Sequence, residues 1–245
     1  MITNTEFAAR ARDIADNYKT LYVLGGFGDP LTVTKKEAFI AKNAFNRRAD
    51  RAKKIRAATR DTFAMDCSGT LKAILWGWNG NLNHGHGGAK YASNDVPDQN
   101  ADTFISRCKD VSTDFSRIQV GEAVWIKGHI GIYVGDGLAV ETTYRWKDGT
   151  QYTACNCDVA GYHRRDWTKH GKLPYVKYPK DIRVGDLVRI TGTHWYGGKT
   201  IPTWVLERRW YVSSIRGNRV VLDRSEDGKS RICSPIHIDN IELAD

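Results

Sequence analysis

The hydrophobic period of this chain changes once along its length, and that change constrains the fold more tightly than any single motif. In the N-terminal third the apolar residues recur at helical spacing. Phe7, Ala8, Ala11, Ile14 and Ala15 lie within residues 5–18; Phe39, Ile40 and Phe45 lie in an alanine-rich basic stretch over 34–58; Leu71, Ile74, Leu75 and Trp78 follow. From Ile118 onward the pattern is β. It runs through Gln119–Ile126, a strand opening at His129, and Leu138 to Thr142. Tyr144-Arg145-Trp146-Lys147-Asp148-Gly149 reads as a turn, and another strand starts near Tyr152. Helices first and strands after them predict an α+β domain.

Between the two regimes, residues 79–100 are rich in Asn, Gly, His and Asp, which marks a long loop of the kind that shapes a groove beside a site. A proline-bounded stretch from Leu173-Pro174-Tyr175 to Tyr178-Pro179-Lys180 reads as a junction, separating a domain over 1–175 from one over 181–245. Beyond it, short β-type runs are expected at Asp186–Ile190, Trp204–Leu206, Trp210–Ile215, Arg219–Leu222 and Ile236–Leu243. Gly217-Asn218 and Asp227-Gly228 supply two of the turns, and the whole predicts a small β-barrel.

The formal net charge is +9 and is unevenly spread. Ten Lys/Arg between Lys35 and Arg60 stand against Glu37 and Asp50 alone, so this segment holds +8 of the excess. A block of that kind attracts a polyanion such as an anionic wall polymer, lipid or nucleic acid, unless it is simply a solvated helix face. No run of apolar residues approaches the roughly 18 of a membrane span. The N-terminus lacks a basic region followed by an apolar core, so a signal peptide is not expected; the protein is expected to be made in a cytoplasm, and work outside it requires another exit route. The five cysteines (67, 108, 155, 157, 233) form no disulfide framework, and Cys155-Asn156-Cys157 is too tight for a relaxed bridge.

Cys67 lies in Met65-Asp66-Cys67-Ser68-Gly69, immediately before a helical stripe. A thiol at a helix N-terminus meets unpaired backbone N–H groups and the positive end of the helix dipole, which favour thiolate. His129 opens the run Gly128-His129-Ile130-Gly131-Ile132-Tyr133-Val134. Paired, they read as nucleophile and general base, with a thioester formed and then hydrolysed. The Cys67 N–H and the Tyr22 hydroxyl are the expected oxyanion donors, with Asp66 and Ser68 beside the nucleophile as positioning groups. A carboxylate on the far imidazole nitrogen would fix the tautomer, and Glu141 is the candidate. Register decides whether it qualifies. The expected loop is the three-residue Gly135-Asp136-Gly137, which Gly137 suits and which sets Glu141 opposite Gly131, on the face of His129 and diagonally within reach. A two-residue Asp136-Gly137 loop sets it on the opposite face.

Three segments together resemble the NlpC-type family of bacterial and phage cell-wall cysteine peptidases. They are Tyr22-Val23-Leu24-Gly25-Gly26, Asp66-Cys67-Ser68-Gly69 and His129-Ile130-Gly131-Ile132-Tyr133-Val134-Gly135-Asp136-Gly137. The resemblance covers roughly residues 10–175 and implies a papain-like catalytic domain without a cofactor, with Cys67 as nucleophile, His129 as base, Glu141 as third member and Tyr22 as a hydrogen-bond donor. The stretch between Gly26 and Cys67 is longer than is usual in that family, and Glu stands where His, Asn or Gln is commoner. The tail after Lys180, opening at Val184-Gly185-Asp186-Leu187-Val188-Arg189, resembles bacterial SH3-like wall-binding modules, and the two parts together look like a phage endolysin. Its implied partner is peptidoglycan of Gram-positive type with anionic wall polymers; nucleic acid and membrane insertion are not expected. Trp195, Tyr196 and Trp204 are candidate wall contacts, alongside a packing role for several tail aromatics. Cleavage of a D-glutamyl peptide bond is implied, with the muramoyl–alanine amide as the alternative. Two other readings are a zinc amidase using His84, His86 or the Cys155/Cys157 pair, and a basic binding protein without enzymatic activity.

Overall fold

The computed structural model describes residues 1–244, which divide into two compact units, 1–178 and 179–244. In the first, Thr3 ends a short strand β1 (Ile2–Thr3) and caps helix α1 (Asn4–Asn17). Its hydroxyl accepts the Glu6 N–H at 3.2 Å while the Glu6 carboxylate accepts the Thr3 N–H at 3.0 Å. Such reciprocal capping satisfies two otherwise orphaned donors. One face of α1 buries Phe7, Ala8, Ala11, Ile14 and Ala15, as the spacing predicts.

The chain then forms β2 (Thr20–Tyr22) and β3 (Phe27–Pro30), detours through α2 (Val33–Lys42), α3 (Ala44–Arg47) and α4 (Ala49–Ala57), and returns as β4 (Phe63–Met65). β4 is the middle strand, parallel to β2 and antiparallel to β3. The single helix expected over 34–58 is therefore broken twice. Asn43 is extended and turns its side chain to the Phe45 N–H, a local bond that competes with helix continuation, and Arg48 is extended as well. Asn46 is wholly buried: its amide accepts from Leu24 N–H and donates to the Leu24 and Phe39 carbonyls, tying the detour to the segment after β2.

Helix α5 (Cys67–Leu75) leaves β4 directly. After the loop region comes an unexpected helix, α6 (Ala101–Arg107), capped by the Asn100 side chain on Thr103 N–H. The main sheet comprises β5 (Lys109–Ser112), β6 (Ala123–Ile126), β7 (His129–Gly135), β8 (Leu138–Thr143), β9 (Gly149–Cys155), β10 (Arg164–Arg165) and β11 (Lys169–Lys172), in the order β10-β9-β8-β7-β6-β11-β5. A last strand, β12 (Val176–Lys177), pairs with β1. The strand expected from Gln119 begins only at Ala123, because Gln119 to Glu122 forms a turn closed by the Glu122 N–H on the Gln119 carbonyl. One sheet face carries Ile130, Ile132, Val134, Leu138 and Val140 into a core shared with α1 and α5. The other carries Val124, Ala139 and Cys155 under Trp167. Each fully buried aliphatic side chain of this kind contributes about 1.5–3 kcal/mol.

The β7–β8 hairpin corrects the loop expectation and preserves its consequence. Gly135 pairs with Leu138, so the turn is the two-residue Asp136-Gly137, both with positive φ (55° and 70°) as a type I′ turn requires. A bulge at Val134 then shifts the register by one, and from Tyr133 inward the pairs are Tyr133–Ala139, Ile132–Val140 and Gly131–Glu141. Glu141 returns to the face of His129.

The second unit is an antiparallel sheet of β13 (Leu187–Ile190), β14 (Arg209–Arg216), β15 (Arg219–Ser225), β16 (Arg231–His237) and β17 (Ile241–Leu243), ordered β16-β15-β14-β13-β17. Its core is Val188, Trp210, Val212, Val220, Leu222, Ile236 and Ile241. Two expectations change. Trp204–Leu206 is not a strand but part of a one-turn helix α7 (Thr203–Leu206), entered through Pro202, whose carbonyl accepts the Val205 N–H. Ile236–Leu243 is interrupted after His237 by a turn at Ile238–Asn240, where the His237 ring accepts the Asp239 N–H.

Candidate active site

Asp66 builds the start of α5. Its own N–H donates to the Gly26 carbonyl at 2.9 Å, and its carboxylate accepts from Gly69 N–H (2.6 Å), Ser68 Oγ (3.1 Å) and Gly25 N–H (2.7 Å). The Gly25-Gly26 turn is thus clamped against the first turn of the helix. The approach is so close that a Cβ on Gly69 would lie 1.9 Å from the Gly26 carbonyl oxygen. Further along the helix, Thr70 Oγ1 meets Thr142 Oγ1 (2.5 Å), which meets Thr150 Oγ1 (2.7 Å), fastening α5 to β8 and β9. Asp66 and Ser68, expected as positioning groups, spend their polar atoms on holding this cap.

Cys67 is buried, and that burial pushes its thiol up to about 12, with the Asp66 carboxylate adding to the effect. The backbone N–H groups of Ile130, Ser68 and Cys67 itself act the other way and are outweighed. The helix N-terminus therefore does not deliver a resting thiolate, contrary to the sequence expectation: desolvation wins. Proton removal has to accompany attack. The Ile130 N–H facing the sulfur also sets the entrance of β7 against the nucleophile, and His129 immediately precedes Ile130 in that strand.

His129 Nε2 lies 2.6 Å from Glu141 Oε2. That leaves Nδ1 as the imidazole nitrogen available to a thiol proton. The other carboxylate oxygen of Glu141 accepts from Arg165 Nε (2.7 Å) and Thr153 Oγ1 (2.8 Å). Burial by itself would raise the Glu141 carboxyl, but the bonds from His129 and Arg165 hold it below its ordinary value. Trp167 lies parallel to the His129 ring at 5.6 Å, in space left by Gly131, where a Cβ would come 3.0 Å from the indole. The Arg165 guanidinium sits between Trp167 (5.5 Å) and Trp146 (4.9 Å). Arg165, Trp167 and Thr153 were not legible as site residues, because nothing in their local sequence marks which residue will pair with a buried Glu.

Tyr22 lies in the same neighbourhood. Its phenol is raised above its ordinary value by burial, then by the nearby Cys67 and Asp66. Its ring meets Phe45 (5.7 Å) and Tyr144 (5.5 Å) edge-on. The structure thus gathers Tyr22, Asp66, Cys67 and Ser68 at the head of α5, where the N–H of Ile130, the residue after His129, faces the sulfur.

Several cations of the basic block are ion-paired, although most of them stay exposed and Arg51 alone is buried. Arg51, itself buried, and Lys54 both donate to Asp148 at 2.7 Å; Lys35 pairs with Asp29, Arg56 with Glu37 and Arg48 with Asp50. Lys36 Nζ donates to the Arg56 and Ala58 carbonyls. The groups considered for zinc are scattered. His86 bonds Asp29, Cys155 packs under the sheet, and among the described residues no three His, Cys, Asp or Glu side chains gather to hold a metal.

In the second unit, Trp195 packs against the core, whereas Tyr196 and Trp204 are exposed. Tyr196 stacks on His237, and Trp204 meets Trp210 edge-on beneath Arg208. Compared with known protein families and with curated proteins, the chain matches none.

Proposed function

We propose that the protein is a thiol-dependent amidohydrolase of the NlpC type, with Cys67 as nucleophile, His129 as base and Glu141 as the residue that orients and charges the imidazole. The observation carrying this reading is the convergence of the Cys67 sulfur on the Ile130 N–H with the 2.6 Å His129–Glu141 bond one residue away. The resting thiol is neutral, so Nδ1 takes its proton as the sulfur attacks a carbonyl carbon. The imidazolium so formed faces an anionic Glu141 kept ionised by Arg165. The Cys67 N–H and the Tyr22 hydroxyl are the donors proposed for the oxyanion. The imidazolium returns its proton to the departing amine, and water, deprotonated by the same ring, opens the thioester.

The substrate proposed is the stem peptide of peptidoglycan, cut at a D-glutamyl bond by an endolysin-like enzyme. The catalytic unit is read as papain-like, and the five-stranded second unit as an SH3-like module that holds the enzyme on its polymer and raises its local concentration. Mass spectrometry of purified wall after digestion tests the assignment. New amino termini following D-glutamate are expected. Free muramoyl groups paired with new alanine amino termini would assign the amidase activity instead, and absence of new amines would contradict both.

A further inference from the structure

The loop Tyr144-Arg145-Trp146-Lys147 touches both ends of the proposed catalytic array. Tyr144 meets Tyr22, whose phenol neighbours Cys67. Two residues on, Trp146 lies 4.9 Å from the Arg165 guanidinium that holds Glu141. The loop is also anchored from outside. Asp148, at its end, accepts from Arg51 and Lys54 of α4, and Arg51 donates in addition to the Tyr22 carbonyl. From α3, Phe45 packs at 5.3 Å against Tyr144, with Arg48 over its outer side at 5.4 Å. The detour between β3 and β4 therefore buttresses this loop, which accounts for the burial of Arg51.

The outward face has a definite chemistry. Tyr144 and Trp146 are 49% and 41% exposed, and Arg145 and Lys147 are exposed beside them. Neither cation has a carboxylate partner among the described residues. Elsewhere on this unit some surface cations are paired, as Arg164 is with Asp158 and Asp166. Two unpaired cations on a pinned aromatic loop beside a nucleophile match an anionic substrate segment by charge complementarity.

We propose that Tyr144, Arg145, Trp146 and Lys147, backed by Phe45, form a substrate subsite that takes a carboxylate-bearing peptide segment. Arg145 and Lys147 receive its carboxylates, and the aromatic rings cover its aliphatic parts. The subsite rests on the hydrolase reading for its substrate, but it is tested by binding alone. In a Cys67→Ala background, binding of a soluble wall stem peptide with free carboxylates is titrated by Trp146 fluorescence and calorimetry, beside the same peptide fully amidated. With two exposed charge contacts, the acid form should bind about tenfold more tightly. Arg145→Gln/Lys147→Gln, both at exposed positions, should erase that preference with no loss of thermal stability. Equal affinity for the two peptides, or a preference that survives the double substitution, overturns the subsite. Tighter binding of single-stranded oligothymidylate, lost in the double variant, also overturns it and assigns the loop to nucleic acid. Failure of the hydrolase reading would show separately, as wild-type protein that binds the acid peptide yet releases no amine.

Discussion

His129 and Glu141 are bonded at 2.6 Å although they are not opposite each other: the residue facing Glu141 across the hairpin is Gly131. The bond is diagonal, and it exists because the bulge at Val134 offsets a two-residue turn. Gly131 serves a second purpose by leaving room for Trp167 to lie over the imidazole. Gly131→Ala should therefore displace Trp167 and lower kcat by about tenfold or more, while the melting temperature falls by only a few degrees. Steady-state kinetics and calorimetry on the same preparation separate the two effects.

Arg165 should set the acid limb of activity. Glu141 is held below its ordinary carboxyl range against the cost of burial, by His129 first and Arg165 next. Removing the guanidinium leaves burial less opposed, so the carboxyl keeps its proton to higher pH. The prediction for Arg165→Gln is a kcat/KM profile whose acid limb moves upward in pH, with a loss at neutral pH of about tenfold to a hundredfold. Arg165→Lys should recover part of both. An unmoved limb would mean Arg165 only packs.

Alkaline stability should decline over a defined window. Burial raises the thiols of Cys67, Cys108 and Cys155 to about 12, against 9.0 for an ordinary thiol. Unfolded chains then release these protons first. The associated stability is complete below pH 9 and is lost as pH rises through about 12. Replacing Cys108 and Cys155 by Ala should flatten that decline in a melting-temperature series, although each substitution also changes packing near neutral pH.

The head of α5 gives a stability test independent of chemistry. Gly69→Ala sets a methyl into the Gly26 carbonyl and should cost about 1–3 kcal/mol or more, reported by denaturant midpoint at unchanged m-value. Asn46→Ala should cost a similar amount by stranding the buried polar groups of Leu24 and the Phe39 carbonyl.

Legibility in the sequence followed the range of the interaction. The α1 and α5 stripes and the β7–β8 hairpin carry period and turn residues within a few positions of one another, and they form close to where the pattern sets them. The Cys67 head was readable for the same reason, whereas the diagonal placement of Glu141 was reached through a three-residue loop, in whose place the structure has a two-residue turn and a bulge at Val134. Breaks at Asn43 and Arg48 were hidden beneath good helix formers, and α7 beneath β-favouring Trp204-Val205-Leu206. Arg165, Thr153 and Trp167 belong to the site through contacts made 12 to 38 residues from their partners. The thiol acidity was misread because a helix N-terminus is visible in sequence, whereas the desolvation that outweighs it exists only in the packed fold.

Release of free amino groups from purified wall by wild type, Cys67→Ala and His129→Ala, each confirmed folded, tests the central claim most directly. The account predicts steady release by wild type and none above background by either variant. Release that continues in Cys67→Ala would contradict it.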